Sequence, residues 1–96
     1  MKLLTEEIKK RLPNLRETED QEDPIVQVKF FNPCGIGTWF ATEFDPEEGL
    51  FFGLADLGFP ELGYFSLQEL EGYKGPLGLG IERDLHFTPK PLSKCK

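Results

Sequence analysis

The sequence is poor in the residues that metal sites and oxidative staples require. It holds two cysteines, one histidine and one methionine in 96 residues. A structural zinc site needs four Cys or His ligands at short, fixed spacing. Cys34, His86 and Cys95 do not make such a set, so no metal and no other cofactor is expected. Long apolar runs are missing too. None approaches the roughly 20 residues that cross a bilayer, and the start, Met1 to Glu7, has two leucines followed at once by acids. That is not the apolar region of a secretion signal. The expectation is a cytoplasmic protein with no membrane partner. In a reducing compartment Cys34 and Cys95 are expected to stay free thiols.

Basic residues are nearly absent from the middle of the chain. Residues 17–73 hold thirteen acids and a single base, Lys29, a net charge of −12. The flanking segments, 1–16 and 74–96, each carry +3, so the overall −6 is a difference between unlike parts. A grip on nucleic acid through the whole surface is excluded, because phosphate binding needs clustered cations. Nine of the acids fall in two clusters. The first is Glu17, Glu19, Asp20, Glu22 and Asp23; the second is Glu43, Asp45, Glu47 and Glu48. Like charges at this density repel, so they are expected in solvated loops. They offer a surface for a basic or nucleic-acid-binding protein, which charge complementarity would steer and select.

Reactive constellations are equally scarce. Ser66 is accounted for by helix capping, and Cys34 lies in a Gly-flanked loop with no nucleophile motif around it. Gly75-x-x-Gly78-x-Gly80 lacks the Lys-Ser or Lys-Thr ending of a phosphate loop. An enzyme is not the favoured reading. The alternative is a small hydrolase or ligand-binding domain with a cleft near 75–86, drawing on Glu82, Arg83, Asp84 and His86. A third reading is weak nucleic-acid contact through the basic ends: Lys2, Lys9, Lys10, Arg11 and Arg16 with Lys90, Lys94 and Lys96.

What the chain does have is apolar and aromatic substance: 39% hydrophobic residues and nine Phe. That rules out a wholly disordered polymer. A helix is predicted over 5–12. Thr5 caps it, acids and bases sit at the ends the helix dipole prefers, and Leu4, Ile8 and Leu12 form one stripe. An acidic loop over 14–24 follows. Strands are predicted over 25–31, 38–44, 50–55 and 61–65, joined by short turns such as Asp45-Pro46-Glu47-Glu48-Gly49. In the first, Val26, Val28 and Phe30 are expected on one face. Ser66-Leu67-Gln68-Glu69 is a capping box opening a helix over 66–73. A Gly/Pro-rich crossing and a C-terminal tail fill 74–96, with a fifth strand predicted over 81–87. The expected fold is α+β: a small single domain, residues 1–96, with an antiparallel four- to five-stranded meander sheet (within 25–65) and two short helices.

Aromatic residues fall on both faces of these strands. Two short helices can cover one face. The tail over 74–96 is expected to fold back on the other. Where it does not, Trp39, Phe51 and Tyr64 are the candidate apolar anchors for a protein partner or a second copy.

Several segments resemble a known group of small proteins. They are Met1–Thr5, Ala41–Gly53, Glu61–Leu67, Gly75–Leu79 and Ile81–Leu85. Together they resemble a family of small uncharacterised proteins, a domain-of-unknown-function group encoded largely on bacterial plasmids, phages and integrated elements. The resemblance implies a bacterial cytoplasm and a setting among anti-restriction and DNA-processing genes, and it brings no catalytic residues. The expected function is therefore a non-enzymatic interaction protein of a mobile element. Its sharper form is an inhibitor of a defence nuclease or CRISPR complex, with carboxylates standing where nucleic-acid phosphate would sit.

Overall fold

A computed structural model describes residues 2–95. Its core is a five-stranded antiparallel sheet built from β2 (Val28–Phe31), β3 (Thr38–Asp45), β4 (Leu50–Asp56), β5 (Pro60–Ser66) and β6 (Glu82–Arg83). The strand order is β5-β4-β3-β2-β6, so β2 to β5 run as the expected meander. β1 (Ile25–Val26) leaves this sheet and pairs with β7 (Lys90–Pro91) in a ribbon of its own. Two short helices complete an α+β domain, α1 (Glu6–Arg11) and α2 (Leu67–Gly72). Both caps form as the sequence predicts. Thr5 Oγ1 accepts from the Ile8 N–H at 3.2 Å, and Ser66 Oγ accepts from the Glu69 N–H at 3.2 Å. Helices this short do not persist alone. α1 is held because Leu4, Ile8 and Leu12 dock on the sheet, and α2 because Leu70 does.

One irregularity decides which side chains face which way. Ala41 pairs with Gly53, but Glu43 pairs with Phe52, so Thr42 is an extra residue bulged out of β3. A bulge resets the two-residue alternation. Trp39 and Ala41 before it and Phe44 after it therefore share one face, together with Val28, Phe30 and Phe51. Gly53 is required at this point, because a Cβ there would lie 1.9 Å from the Phe40 carbonyl oxygen. Across from the bulge the first predicted strand breaks at Gln27, whose N–H donates to the Ala41 carbonyl at 2.9 Å. Val26 then turns to the opposite face from Val28 and Phe30, contrary to the simple alternation.

The two faces are filled differently. The first carries the main core around Phe51, which touches the rings of Phe30, Phe44 and Phe65 at centroid distances of 5.3, 4.6 and 5.2 Å. α1, α2, Leu3 and Ile81 close it. On the second face, Val26, Phe40 and Leu54 are covered by Leu92, with Phe87 and Cys95 beside them. The tail thus folds back as expected, but over one half only. Phe52, Leu62 and Tyr64 lie on the other half, and Leu62 and Tyr64 are 61% and 59% exposed. The predicted strand over 81–87 is cut to β6, because a turn follows in which Asp84 Oδ1 accepts from the His86 N–H at 2.9 Å and Phe87 N–H bonds back to the Asp84 carbonyl.

Candidate functional site

The open half of the second face is the floor of a groove of about 270 Å³. Phe52, Leu62 and Tyr64 form that floor, and the loop over 14–24 forms the wall, with Arg16, Glu19 and Glu22 along it. Phe52 and Tyr64 meet edge to face, 5.1 Å between centroids. Aromatic rings attract cations over their faces.

A loop with five acids has little reason to lie on a sheet, since its charges repel one another. Glu43 holds it there. The side chain is 3% exposed. Its Oε1 accepts from the Arg16 N–H at 2.7 Å; its Oε2 accepts from the Thr18 N–H at 2.8 Å and from the Thr18 hydroxyl. A second tie is the Phe44 N–H donating to the Pro13 carbonyl at 2.8 Å. Local contacts tighten the loop further. Glu17 Oε1 accepts from the Asn14 N–H at 2.9 Å, and the Glu19 carboxylate accepts from Arg16 Nε at 3.0 Å. That last bond pushes the Arg16 guanidinium up from its already high value. Arg16 adopts a left-handed backbone, φ 74°, which a side chain other than glycine rarely takes. The bond from its N–H to Glu43 offsets that strain.

These positions correct several sequence-based assignments. Glu43 is not part of an acidic surface, because the bulge at Thr42 tucks it under the loop where it serves as a buried acceptor. Phe51 is the fully buried centre of the core and Trp39 lies in the same core, so neither is a surface anchor. The alternation was right within each half-strand, and long-range packing decided which half was covered. Tyr64 remains as an exposed aromatic, and Phe52 and Leu62 join it. Of the other acids, Asp45 caps its own turn through the Glu47 and Glu48 N–H groups, at 3.0 and 3.4 Å. Asp23 accepts from the Ser93 N–H and hydroxyl, at 2.9 and 2.6 Å, and so ties the tail to the loop. Glu19, Asp20, Glu22, Glu47 and Glu48 keep exposed carboxylates.

The remaining candidates do not converge. The cleft beside the Gly75–Gly80 crossing, about 380 Å³, is lined by Tyr73, Lys74 and Glu82 but not by His86. His86 is exposed on its turn, and Arg83 and Asp84 line a different hollow next to α1. The basic ends pack on opposite faces of the sheet, α1 on the main core and the C-terminal segment on the second face. Arg16 belongs to the acidic loop, and Lys96 lies outside the described residues. Cys34 and Cys95 are free and half-buried. Burial pushes the Cys95 thiol up from its ordinary value. Among the described residues, no three or more His, Cys, Asp and Glu side chains are grouped to hold a metal ion, and no helix is long and apolar enough to cross a membrane.

Residues 3–95 match the family described as protein of unknown function, DUF2958. The chain belongs to the DUF2958 family. The match takes in every element of this fold, including the loop, the bulge and the groove. No curated protein and no solved structure matches the chain.

Proposed function

We propose that this DUF2958 chain is a non-enzymatic interaction protein whose groove receives a basic segment of a nucleic-acid-binding protein. The observation that carries the reading is the groove's makeup: an aromatic floor of Phe52 and Tyr64 under a wall bearing Glu22 and Glu19, the latter paired with Arg16 through one carboxylate oxygen. An arginine or lysine side chain has the matching form, an apolar stem and a charged head. The stem packs on Leu62 and the rings, and the head reaches a carboxylate. Because Glu43 fixes the loop beforehand, little ordering cost falls on binding. Glu47 and Glu48, on the turn after β3, extend the negative field and speed the encounter.

The resemblance to small proteins of bacterial plasmids and phages directs the choice of partner. A cytoplasmic defence nuclease or CRISPR complex has a basic cleft for nucleic acid, and a wall of fixed carboxylates can stand where phosphates would lie. In that setting the protein is an anti-defence inhibitor.

The test is capture from a bacterial lysate on immobilised protein, with the retained proteins identified by mass spectrometry. Wild type should retain basic, nucleic-acid-binding proteins that free DNA or RNA displaces. The variant Glu19→Lys/Glu22→Lys should lose them, with affinity falling about tenfold, because each surface charge pair contributes up to about 1 kcal/mol. Equal retention by both proteins at low and high salt would end the electrostatic reading.

A further inference from the structure

The edges of the main sheet are treated unequally. β6 is two residues long and charged, and its Arg83 guanidinium holds the Lys2 and Leu3 carbonyls at 2.6 and 3.0 Å. β5 is seven residues long and forms the opposite edge. Exposed strand edges are normally blunted by lysine, by a bulge or by an internal proline, since their unpaired N–H and C=O groups template another strand. β5 has none of these. Its register with β4 is unbroken from Pro60 to Ser66, its single proline is the first residue, and its only charge is Glu61. Around it stand Leu57, Phe59, Leu62 and Tyr64, each at least 59% exposed.

The hydrogen-bond parity of the free edge follows from one contact. The Leu67 N–H donates to the Gly49 carbonyl. Antiparallel alternation then turns the main-chain groups of Phe65, Gly63 and Glu61 toward β4, and those of Leu62, Tyr64 and Ser66 outward. The occupant of such an edge must be an extended segment with apolar residues alternating on one side. β5 itself meets that description, and it is the one long strand among the described residues with a free edge.

We infer that two copies of this chain pair through β5, antiparallel, about a two-fold axis at Gly63. Only this register overlaps the strand over its full length. It sets Leu62 against Tyr64 of the second copy, and Tyr64 against Leu62, with about six main-chain hydrogen bonds between them. Leu62 and Tyr64 each gain an apolar neighbour across the join. Glu61 faces Phe65 of the second copy, so the two Glu61 carboxylates are kept apart. Gly63 meets its counterpart at the axis, and nothing within this chain calls for glycine there, since a Cβ would meet no atom within 4 Å. Glycine inside a strand weakens it and often marks the close approach of another backbone. The product is a continuous ten-stranded sheet with both acidic loops on the same side, a two-fold-symmetric negative surface.

Sedimentation equilibrium of the full chain, from micromolar to several hundred micromolar, is the test, joined to hydrogen exchange at the same concentrations. Mass should rise to twice that of one chain. The Leu62, Tyr64 and Ser66 amides should gain protection with concentration, while the Gly63 and Phe65 amides, already bonded to β4, should not. Leu62→Pro removes an outward N–H without touching the bonds to β4 and should raise the dissociation constant at least tenfold. Leu62→Lys serves if the proline variant unfolds. A constant single-chain mass over the whole range, a dimer unaffected by either variant, or concentration-dependent protection lying elsewhere would each overturn the inference. Self-pairing of an acidic chain should strengthen with salt, whereas capture of a basic protein should weaken, so the two proposals fail separately.

Discussion

Phe51→Ala should lower the stability of the fold by about 3–5 kcal/mol, the range for emptying a buried phenylalanine site. Phe51 is fully buried and contacts three other rings, so truncating it opens a void at the centre of the core. A domain of this size has only about 5–15 kcal/mol in total. The variant should therefore melt roughly 15–30 °C lower. Urea unfolding followed by the fluorescence of Trp39, buried in the same core, provides the measurement. Tyr64→Ala, at an exposed position, should change stability by about 0.5 kcal/mol or less. The reverse ranking would mean that Phe51 is the surface aromatic and Tyr64 the core one.

Glu43→Ala should be the second most damaging change, at about 2–4 kcal/mol. It strands three donors, the N–H groups of Arg16 and Thr18 and the Thr18 hydroxyl. It also leaves Arg16 in a left-handed conformation with nothing to offset the strain. The chain should respond by releasing the loop from the sheet, which hydrates those donors and limits the loss. Hydrogen exchange resolves the two parts. The Arg16 and Thr18 amides should exchange orders of magnitude faster, while amides of β3 and β4 lose only what the global stability loses. Unchanged protection at residues 16 and 18 would show that Glu43 does not hold the loop. Glu47→Ala, removing an exposed acid of the same cluster, should have almost no effect on either quantity.

The contrast between Glu43 and Glu47 shows where sequence reading stops. The helix caps at Thr5 and Ser66, the turn at Asp45–Gly49 and the meander of β2 to β5 were all legible, because each is written in residues close together. The role of Glu43 was not, because its partners lie 25 and 27 residues away and its neighbours in sequence are acids of a solvated turn. One local signal was present. Gly53 inside a strand of apolar residues marks either a bulge or a close approach, and a bulge opposite it moves Glu43 and Phe44 to the faces they occupy. The misplacement of Trp39 and Phe51 has the same origin. Alternation sorts side chains into two sets, but which set is buried depends on where α1 and the tail dock, and no short segment encodes that. The groove lies beyond local reading for a further reason: it exists only where the tail stops short of Phe52, Leu62 and Tyr64.

The account turns on whether the fixed acidic wall and the aromatic floor together bind a basic side chain. Calorimetric titration with a short arginine-rich peptide, beside a lysine-rich peptide of equal charge, tests this most directly. Wild type should bind the arginine peptide more tightly, because a guanidinium stacks on aromatic faces and pairs with carboxylates in a plane. Affinity should fall as salt rises. Glu19→Gln/Glu22→Gln and Tyr64→Ala should each weaken binding several-fold while leaving the melting temperature in place. Equal binding of both peptides by wild type and by all these variants would contradict the assignment of the groove.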